Sequence, residues 1–208
     1  MSDKKSDKKS DKKSDMRRII VGISGSSSPI YGIQTLKTLS AMPDIETHLV
    51  LSEGAHLSIK YEAPEWQIPD IEAMADIVHD PRNMAAAVSS GSFKTDGMVI
   101  VPCSMKTLAA LAHSYNSDLI VRAADVCLKE RRRLVVVARE TPLHRGHLLN
   151  MLAVTDMGGV ILPPIPGFYT QPKSISDIVN HTVGKVLDLL GVENDEFKRW
   201  TGEEPAEN

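Results

Sequence analysis

From residue 17 onward, apolar runs with the length of buried strands alternate with stretches of helical periodicity. The runs are rich in Ile and Val and lack strict alternation of hydrophobic and polar residues, which indicates strands that are covered on both faces. Strands and helices that alternate in this way are typical of βαβ units and a parallel sheet. The sequence therefore predicts a three-layer, doubly wound α/β fold, with a parallel sheet between two layers of helices.

The pattern predicts five strands, at residues 17–24, 46–52, 98–104, 133–140 and 159–163. It predicts helices at residues 29–42, 53–62, 70–78, 82–89, 105–114, 117–132, 147–158 and 174–191. Ser104 and Ser174 are suited to helix N-caps and Gly191 to a helix stop. We expect one domain over residues 16–192, followed by a C-terminal tail at 193–208 whose Trp200 favours a subunit interface.

Residues 1–15 are predicted to be a separate, disordered tail. The segment at 2–15 repeats the unit Ser-Asp-Lys-Lys, contains six Lys and four Asp, and has no apolar residue. Such a segment cannot bury a hydrophobic face and is not expected to fold.

Charge and composition exclude several classes of protein. The net charge of -3 gives no electrostatic reason to expect nucleic-acid binding. No apolar run approaches the roughly 20 residues that a membrane span requires, and the N-terminus has no apolar signal core. The two cysteines cannot form a disulfide framework. We therefore expect a cytoplasmic protein.

Short polar side chains follow the predicted strands, where a doubly wound sheet binds its ligands. Ser24, Gly25, Ser26, Ser27 and Ser28 follow the first strand, Ser52 follows the second, and the third leads into the segment 104–107. Hydroxyl groups and free N–H groups at helix N-termini suit a phosphate. The first loop matches neither the dinucleotide fingerprint nor the Walker A motif. Several such loops at one sheet edge favour a mononucleotide.

Charged residues near this edge admit two interpretations. Arg122, Asp125 and Lys129 share one face of a predicted helix, either as a solvated ion-paired stripe or with Arg122 buried against Asp125 or a ligand phosphate. Glu140 follows an apolar strand and is either a simple loop carboxylate or, if enclosed, a proton-transfer group. Cys103 is expected to be a small buried residue, and His144 and His147 are expected to be loop and helix-start residues, not metal ligands.

Four ordered segments together resemble the UbiX-type flavin prenyltransferases, which include the B subunits of hydroxyarylic acid decarboxylase systems. They are GISGSSSPIYG, SSGSFKTDGMVIVPCSMKTLA, RAADVCLKERRRLVVVARETPLHRGHL and ILPPIPGFYTQP. The resemblance covers roughly residues 17–200. It implies a flavodoxin-like, Rossmann-type fold that binds FMN and needs no metal.

The resemblance also implies an activity. Members of the family transfer a dimethylallyl group from dimethylallyl monophosphate to N5 and C6 of reduced FMN, and the prenylated FMN passes to a UbiD-type decarboxylase. They assemble as dodecamers with sites at subunit interfaces. Two alternatives remain open at this point: a non-catalytic FMN-binding accessory subunit, and an FMN-dependent decarboxylase.

Site residues follow from the resemblance by motif. The implied FMN contacts are Gly25, Ser26, Ser27, Ser52, Ser104, Met105, Lys106, Thr107 and Arg122. The implied contacts to dimethylallyl phosphate are Tyr169, Lys185, Arg139 and Lys129, and the implied catalytic residues are Glu140, Glu62 and Lys129. One departure stands out, because Ser28 occupies a position where the family has Gly. The change matters if the backbone there requires a positive φ.

Overall fold

The computed structural model describes residues 16–202 and contains one parallel, doubly wound sheet, as the sequence predicts. The strand order is β3-β2-β1-β4-β5-β6, and all neighbouring strands run parallel. The strands are β1 (Arg17–Ile23), β2 (Ile45–Leu51), β3 (Ile77–His79), β4 (Gly97–Cys103), β5 (Arg133–Ala138) and β6 (Val160–Ile161). This is the strand order of a Rossmann-type fold.

Helices cover both faces of the sheet. They are α1 (Ile30–Ser40), α2 (Glu53–Glu62), α3 (Ile68–Glu72), α4 (Met105–Ala112), α5 (Leu119–Lys129), α6 (Arg145–Asp156) and α7 (Ile175–Leu190). The predicted caps are confirmed, because the Ser104 side chain accepts from Thr107 N and Ser174 forms a capping box with Asp177. Gly191 ends α7 in the left-handed conformation with φ 68°.

Two hydrophobic cores lie on opposite faces of the sheet. On one face, Ile33 of α1 and Leu187 of α7 are fully buried against β1, β4 and β5. On the other face, Ile120 of α5 and Val154 of α6 pack against alternate residues of the same strands. Each such side chain contributes about 1.5–3 kcal/mol by leaving water, so both helix layers are held firmly to the sheet.

Two predicted helices are wrong. The segment predicted as a helix at 70–78 contains the short helix α3 followed by the edge strand β3, and the segment at 82–89 has only a 3-10 turn at Ala87–Ser89. The sheet therefore has six strands instead of five. The strand β3 is three residues long and half exposed at the sheet edge, so it carries no buried apolar run that could identify it.

The residues after α7 pack against that helix. Phe197 lies over Gly184, Asn194 donates to Gly184 O, and Arg199 makes two hydrogen bonds to Asp188. Trp200 is exposed. The predicted N-terminal tail at 1–15 and the end of the C-terminal tail lie outside the described residues.

Candidate active site

The site is built where β1 and β4 lie side by side at the centre of the sheet. The chain reaches β2 on one side of this pair and β5 on the other, so the connections diverge from the carboxyl ends of β1 and β4. Such a divergence leaves a crevice at the strand ends. The loops that the sequence singled out meet at this crevice.

Buried Ser24 ties the two central loops together. Its hydroxyl donates to Pro102 O at 3.0 Å and accepts from Ser104 N at 2.8 Å. Because this serine is 1% exposed and its partners are Pro102 near the end of β4 and Ser104 directly after the strand, it joins the loop after β1 to the end of β4.

Gly25 brings the loop after β1 into contact with the start of α2. A Cβ atom at Gly25 would lie 2.7 Å from Gly54 Cα and 2.8 Å from Gly54 C. Both obstructing atoms belong to the backbone and cannot swing aside. Only glycine permits this approach, and the approach narrows the crevice from one side.

The N-termini of α2 and α4 open onto the crevice. Ser52 caps α2 and Ser104 caps α4, each by accepting a backbone N–H of the first turn. The first turn of α4 contains Lys106 and no acidic residue, whereas the first turn of α2 contains Glu53. A helix N-terminus carries about half a positive charge, so α4 offers the better position for an anion.

Between these elements lies a cleft of about 620 Å³. The predicted residues that line it are Gly25, Ser52, Ser104, Met105, Lys106, Thr107 and Glu140. The lining residues that sequence reasoning missed are Glu53, Gly54, Pro81, Arg82, Met84, Ser117 and Asp118. Asp118 was within reach of a sequence argument, because it is the N-cap of α5, but Arg82 and Met84 fall in the segment 82–89 that was predicted to be helical.

Glu62, at the end of α2, holds the loop after β1 in place. Its Oε2 accepts from the Ser27 hydroxyl and from Ser28 N, both at 2.7 Å. Ser28 has φ 70°, so the position does require the left-handed conformation, as the missing glycine suggested. Ser26 fixes the other side of the loop by donating to Arg139 O at 3.0 Å.

Arg122 is half-buried and lies one turn into α5, outside the lining of the cleft. Its guanidinium contacts Asp125 at 3.1 Å and donates to Ser89 O at 3.0 Å. The sequence offered two interpretations, a solvated stripe or a buried Arg122 paired with Asp125. The structure shows the pair with Asp125, but Arg122 is only half-buried. In this arrangement the arginine braces the segment before β4.

Lys129 does not lie near the cleft of its own chain. It follows Asp118 by 11 positions along α5, which places the two residues roughly 16 Å apart at 1.5 Å per residue. Its ammonium group pairs with Glu130 and lies beside Gly91. Neither Lys129 nor Arg139 lines this cleft, and the expectation that they meet at one phosphate stays a prediction.

Arg139 and Glu140 follow β5 and point to different neighbours. Burial raises the pKa of Tyr31, and the charge of Arg139 offsets part of that increase, so Arg139 lies on the side of α1. Glu140 is exposed to the cleft and accepts from Thr141 N at 2.9 Å. The carboxylate is thus available to a ligand in the cleft.

Tyr169 and Lys185 both lie near His181 of α7. The Tyr169 hydroxyl contacts His181 Nε2 at 2.9 Å, and Lys185 follows His181 by one turn of α7. Both predicted residues are substantially exposed. His181 is a residue that sequence reasoning missed, since it lies within an ordinary amphipathic helix.

The remaining residues weighed from the sequence have structural roles. Cys103 is fully buried, and burial raises the pKa of its thiol far above the usual range. His144 caps α6 by accepting from Gly146 N, and His147 lies in the first turn of that helix. Among residues 16–202 no cluster of potential metal ligands occurs. Nor does this part of the chain contain a helix long and apolar enough to cross a membrane.

Comparisons with known proteins agree with this geometry. The model of the family described as Flavoprotein matches residues 7–187. The flavin prenyltransferase UbiX of Escherichia coli K12 is 51% identical over 189 residues, which cover 90% of this chain and all of that protein.

Solved structures also match nearly the whole chain. The structure of AnUbiX (PadA1) in complex with FMN and dimethylallyl pyrophosphate matches with a TM-score of 0.88 at 51% identity, covering 91% of this chain and 100% of that one. A dodecameric FMN-dependent UbiX-like decarboxylase from Escherichia coli O157:H7 matches with a TM-score of 0.86 at 48% identity, covering 89% and 100%.

Proposed function

Because the chain belongs to the Flavoprotein family and, within it, to the UbiX-type flavin prenyltransferases, we propose that it transfers a dimethylallyl group from a dimethylallyl phosphate to reduced FMN. The bonds formed are those to N5 and C6 of the flavin. The observation that carries the proposal is the 51% identity to a flavin prenyltransferase along that protein's full length, combined with a mononucleotide-sized cleft at the strand ends.

The residues of the cleft fit FMN. Its volume of about 620 Å³ lies within the range of roughly 300–1,000 Å³ typical of small-molecule sites. The N-terminus of α4, with Ser104, Lys106 and Thr107, suits the phosphate. Met84 and Met105 offer apolar surface to a flat ring, and the close packing of Gly25 on Gly54 narrows the cleft on one side of that ring.

When bound, reduced FMN supplies the nucleophilic N5 and C6 atoms. The protein would then stabilise the phosphate that leaves C1 as N5 bonds to it and would move the protons, because N5 and C6 each lose one and the central carbon of the former double bond gains one. Glu140, exposed on the cleft, is the base that we assign to the C6 proton. Glu62 orders Ser27 and Ser28, which we expect to border the flavin ring, and its carboxylate adds negative charge near the allylic group.

The phosphate of the donor requires cations. Arg139 and Lys185 lie on the side of α1 and α7, and Tyr169, which is 54% exposed, contacts His181, one helical turn before Lys185. These groups would hold the phosphate as negative charge develops on it. The aromatic ring would shield an allylic cation.

A second copy of the chain would supply Lys129 to the active site. Lys129 is exposed and distant from its own cleft, so it can serve this chemistry only in the site of another subunit. Leu148, Leu149 and Leu152 of α6 are 45–55% exposed and form an apolar surface suited to subunit contact. Since a relative with 48% identity is dodecameric, we propose the same assembly here.

Two further features remain proposals. We propose that a UbiD-type decarboxylase receives the prenylated FMN and that both proteins work in the cytoplasm. The donor in the AnUbiX complex is dimethylallyl pyrophosphate, whereas the family resemblance favours the monophosphate, so both compounds belong in any assay.

The proposal is tested by the mass of the flavin. Purified protein is incubated without oxygen with reduced FMN and dimethylallyl monophosphate, and the extracted flavin is analysed by mass spectrometry. A product heavier by one dimethylallyl group, less the proton that it replaces, supports the transferase. Unchanged flavin with either phosphate donor would refute it.

A decarboxylase activity is the second candidate, because the dodecameric relative is described as an FMN-dependent decarboxylase. It predicts release of CO2 from a hydroxybenzoate by this protein and FMN alone, without any prenyl donor. The accessory-subunit alternative predicts neither product, only FMN binding.

A further inference from the structure

His181 links Tyr169, which we propose binds the prenyl donor, to the C-terminal segment. Its Nε2 lies 2.9 Å from the Tyr169 hydroxyl, and the two rings meet edge to face with their centroids 5.6 Å apart. On its other side the imidazole meets the ring of Phe197, again edge to face, at 4.9 Å. The imidazole therefore lies between two aromatic rings.

The C-terminal segment keeps the imidazole in that position. Phe197 is seated on Gly184, where a Cβ atom would lie 2.3 Å from its ring. Arg199 lies 5.1 Å above the Phe197 ring and binds Asp188 through two hydrogen bonds. This packing confines His181 and leaves its Nε2 directed at Tyr169.

The hydrogen bond has two possible directions, and they differ in what the tyrosine can offer a ligand. A tyrosine hydroxyl has one proton. When His181 Nε2 is unprotonated, the Tyr169 hydroxyl donates to it and presents only its oxygen lone pairs to an incoming phosphate. When Nε2 carries a proton, the imidazole donates to the tyrosine oxygen and frees the hydroxyl proton for a phosphate oxygen.

We propose that His181 is a positioning residue that, with Nε2 protonated, turns the Tyr169 hydroxyl proton toward the phosphate of the prenyl donor. The inference rests on the proposed function, because it takes Tyr169 and Lys185 to be donor-binding residues. It takes the neutral imidazole to carry its proton on Nδ1, so that Nε2 gains a proton only in the imidazolium and recognition of the phosphate weakens as His181 deprotonates between about pH 5 and 8.

The charges around His181 couple its protonation to binding of the prenyl donor. Burial and then the charge of Lys185 lower the pKa of His181 in the free protein. Asp188 is engaged by Arg199 and also faces Lys185 at 4.0 Å, and Asp177 accepts from Lys173 N and Ser174 N, so neither carboxylate contacts the imidazole. A bound phosphate would oppose the Lys185 charge and favour protonation of His181, which couples proton uptake to donor binding.

The test uses two substitutions with opposite chemistry. His181→Gln keeps an N–H donor near the position of Nε2 but cannot titrate, whereas His181→Phe keeps a ring against Phe197 and loses the hydrogen bond. KM for dimethylallyl monophosphate and kcat are measured from about pH 5 to 8, the range in which histidine changes charge, together with the Kd for FMN. The phosphate of the donor also titrates in this range, but it changes KM equally for all variants. A difference between the pH profiles of the variants therefore reports on His181 alone.

In the native protein KM should rise with pH by about tenfold, the value of one hydrogen bond to a charged group, while His181→Gln removes that dependence. His181→Phe should raise KM about tenfold at low pH, with an unchanged Kd for FMN. In a Tyr169→Phe background, His181→Phe should have no further effect on KM. Equal pH profiles for the native protein and both variants, or a full effect of His181→Phe without the tyrosine hydroxyl, would overturn the proposal.

Failure of the proposed function gives a different result. If the native protein yields no prenylated flavin, binding of dimethylallyl monophosphate is measured by calorimetry at pH 7.5 in two buffers of different ionisation enthalpy. Proton uptake by the native protein that is absent in His181→Gln supports the role of His181 even then. Binding without uptake, or no binding, refutes it.

Discussion

Glu62 should stabilise a strained loop, and removing it should weaken FMN binding. Its carboxylate accepts two hydrogen bonds of 2.7 Å, from Ser27 and Ser28, and Ser28 has φ 70°. The left-handed conformation costs a residue with a side chain about 1–2 kcal/mol. Without the carboxylate, the Ser27 hydroxyl and Ser28 N lose their shared acceptor, so Glu62→Ala should lose about that free energy of loop ordering.

The expected consequence is an increase of about tenfold in the Kd for FMN, since 1.4 kcal/mol corresponds to a factor of ten. The Kd is measured by quenching of flavin fluorescence as protein is titrated in. Ser28→Gly removes the strain and should restore most of the affinity in the double variant, because glycine populates a positive φ freely. As a single substitution it should alter the Kd by less than about threefold, because the lost strain is offset by the flexibility of glycine.

The reasoning would be refuted by an unchanged Kd in Glu62→Ala, or by a double variant as weak as the single one. FMN binding is the informative measurement, because Glu62 is also a proposed catalytic residue. A loss of turnover alone could not separate the two roles.

The other predictions concern separate parts of the molecule. Gly25→Ala should abolish FMN binding in the same titration, because its Cβ would lie 2.7 Å from the backbone of Gly54; retained binding would show that the loops can separate freely. Glu140→Gln should lower turnover by about 100-fold or more, the contribution of a general base, while FMN still binds; full turnover would remove Glu140 from the mechanism. Burial and then the charge of His48 lower the pKa of His79 in the folded protein, whereas the unfolded chain has the ordinary value near 6.5. Because the unfolded chain therefore binds the proton more tightly, the free energy of unfolding should fall as the pH decreases from about 7 to 5. Urea unfolding should show a smaller fall in His79→Gln, which keeps a hydrogen bond toward His48, and an identical fall in both proteins would contradict this assignment.

The sheet and most of the cleft were predictable because they follow from local rules. Buried strands such as β1 and β4 are long and apolar enough to be identified, and a parallel sheet places the loops after them at one edge. Ser52 and Ser104 could be assigned from cap chemistry alone. The requirement for a positive φ at Ser28 was anticipated only because the family has Gly there.

The rest depends on contacts that a sequence does not encode locally. The strand β3 is short and half exposed, and its pairing with β2 arises from the completed sheet. Lys129 was assigned to a phosphate by motif alone, and it lies at the end of α5, outside the lining of its own cleft. The role that we propose for His181 depends on its contacts with Tyr169, which is 12 residues away, and with Phe197.

A crystal structure of the protein with FMN tests the central claim most directly. The account predicts the flavin phosphate at the N-terminus of α4, within hydrogen-bond distance of Ser104 or Thr107, and the ring between the Gly25–Ser28 loop and Glu140. FMN bound elsewhere on the chain, with this cleft left to solvent, would contradict it.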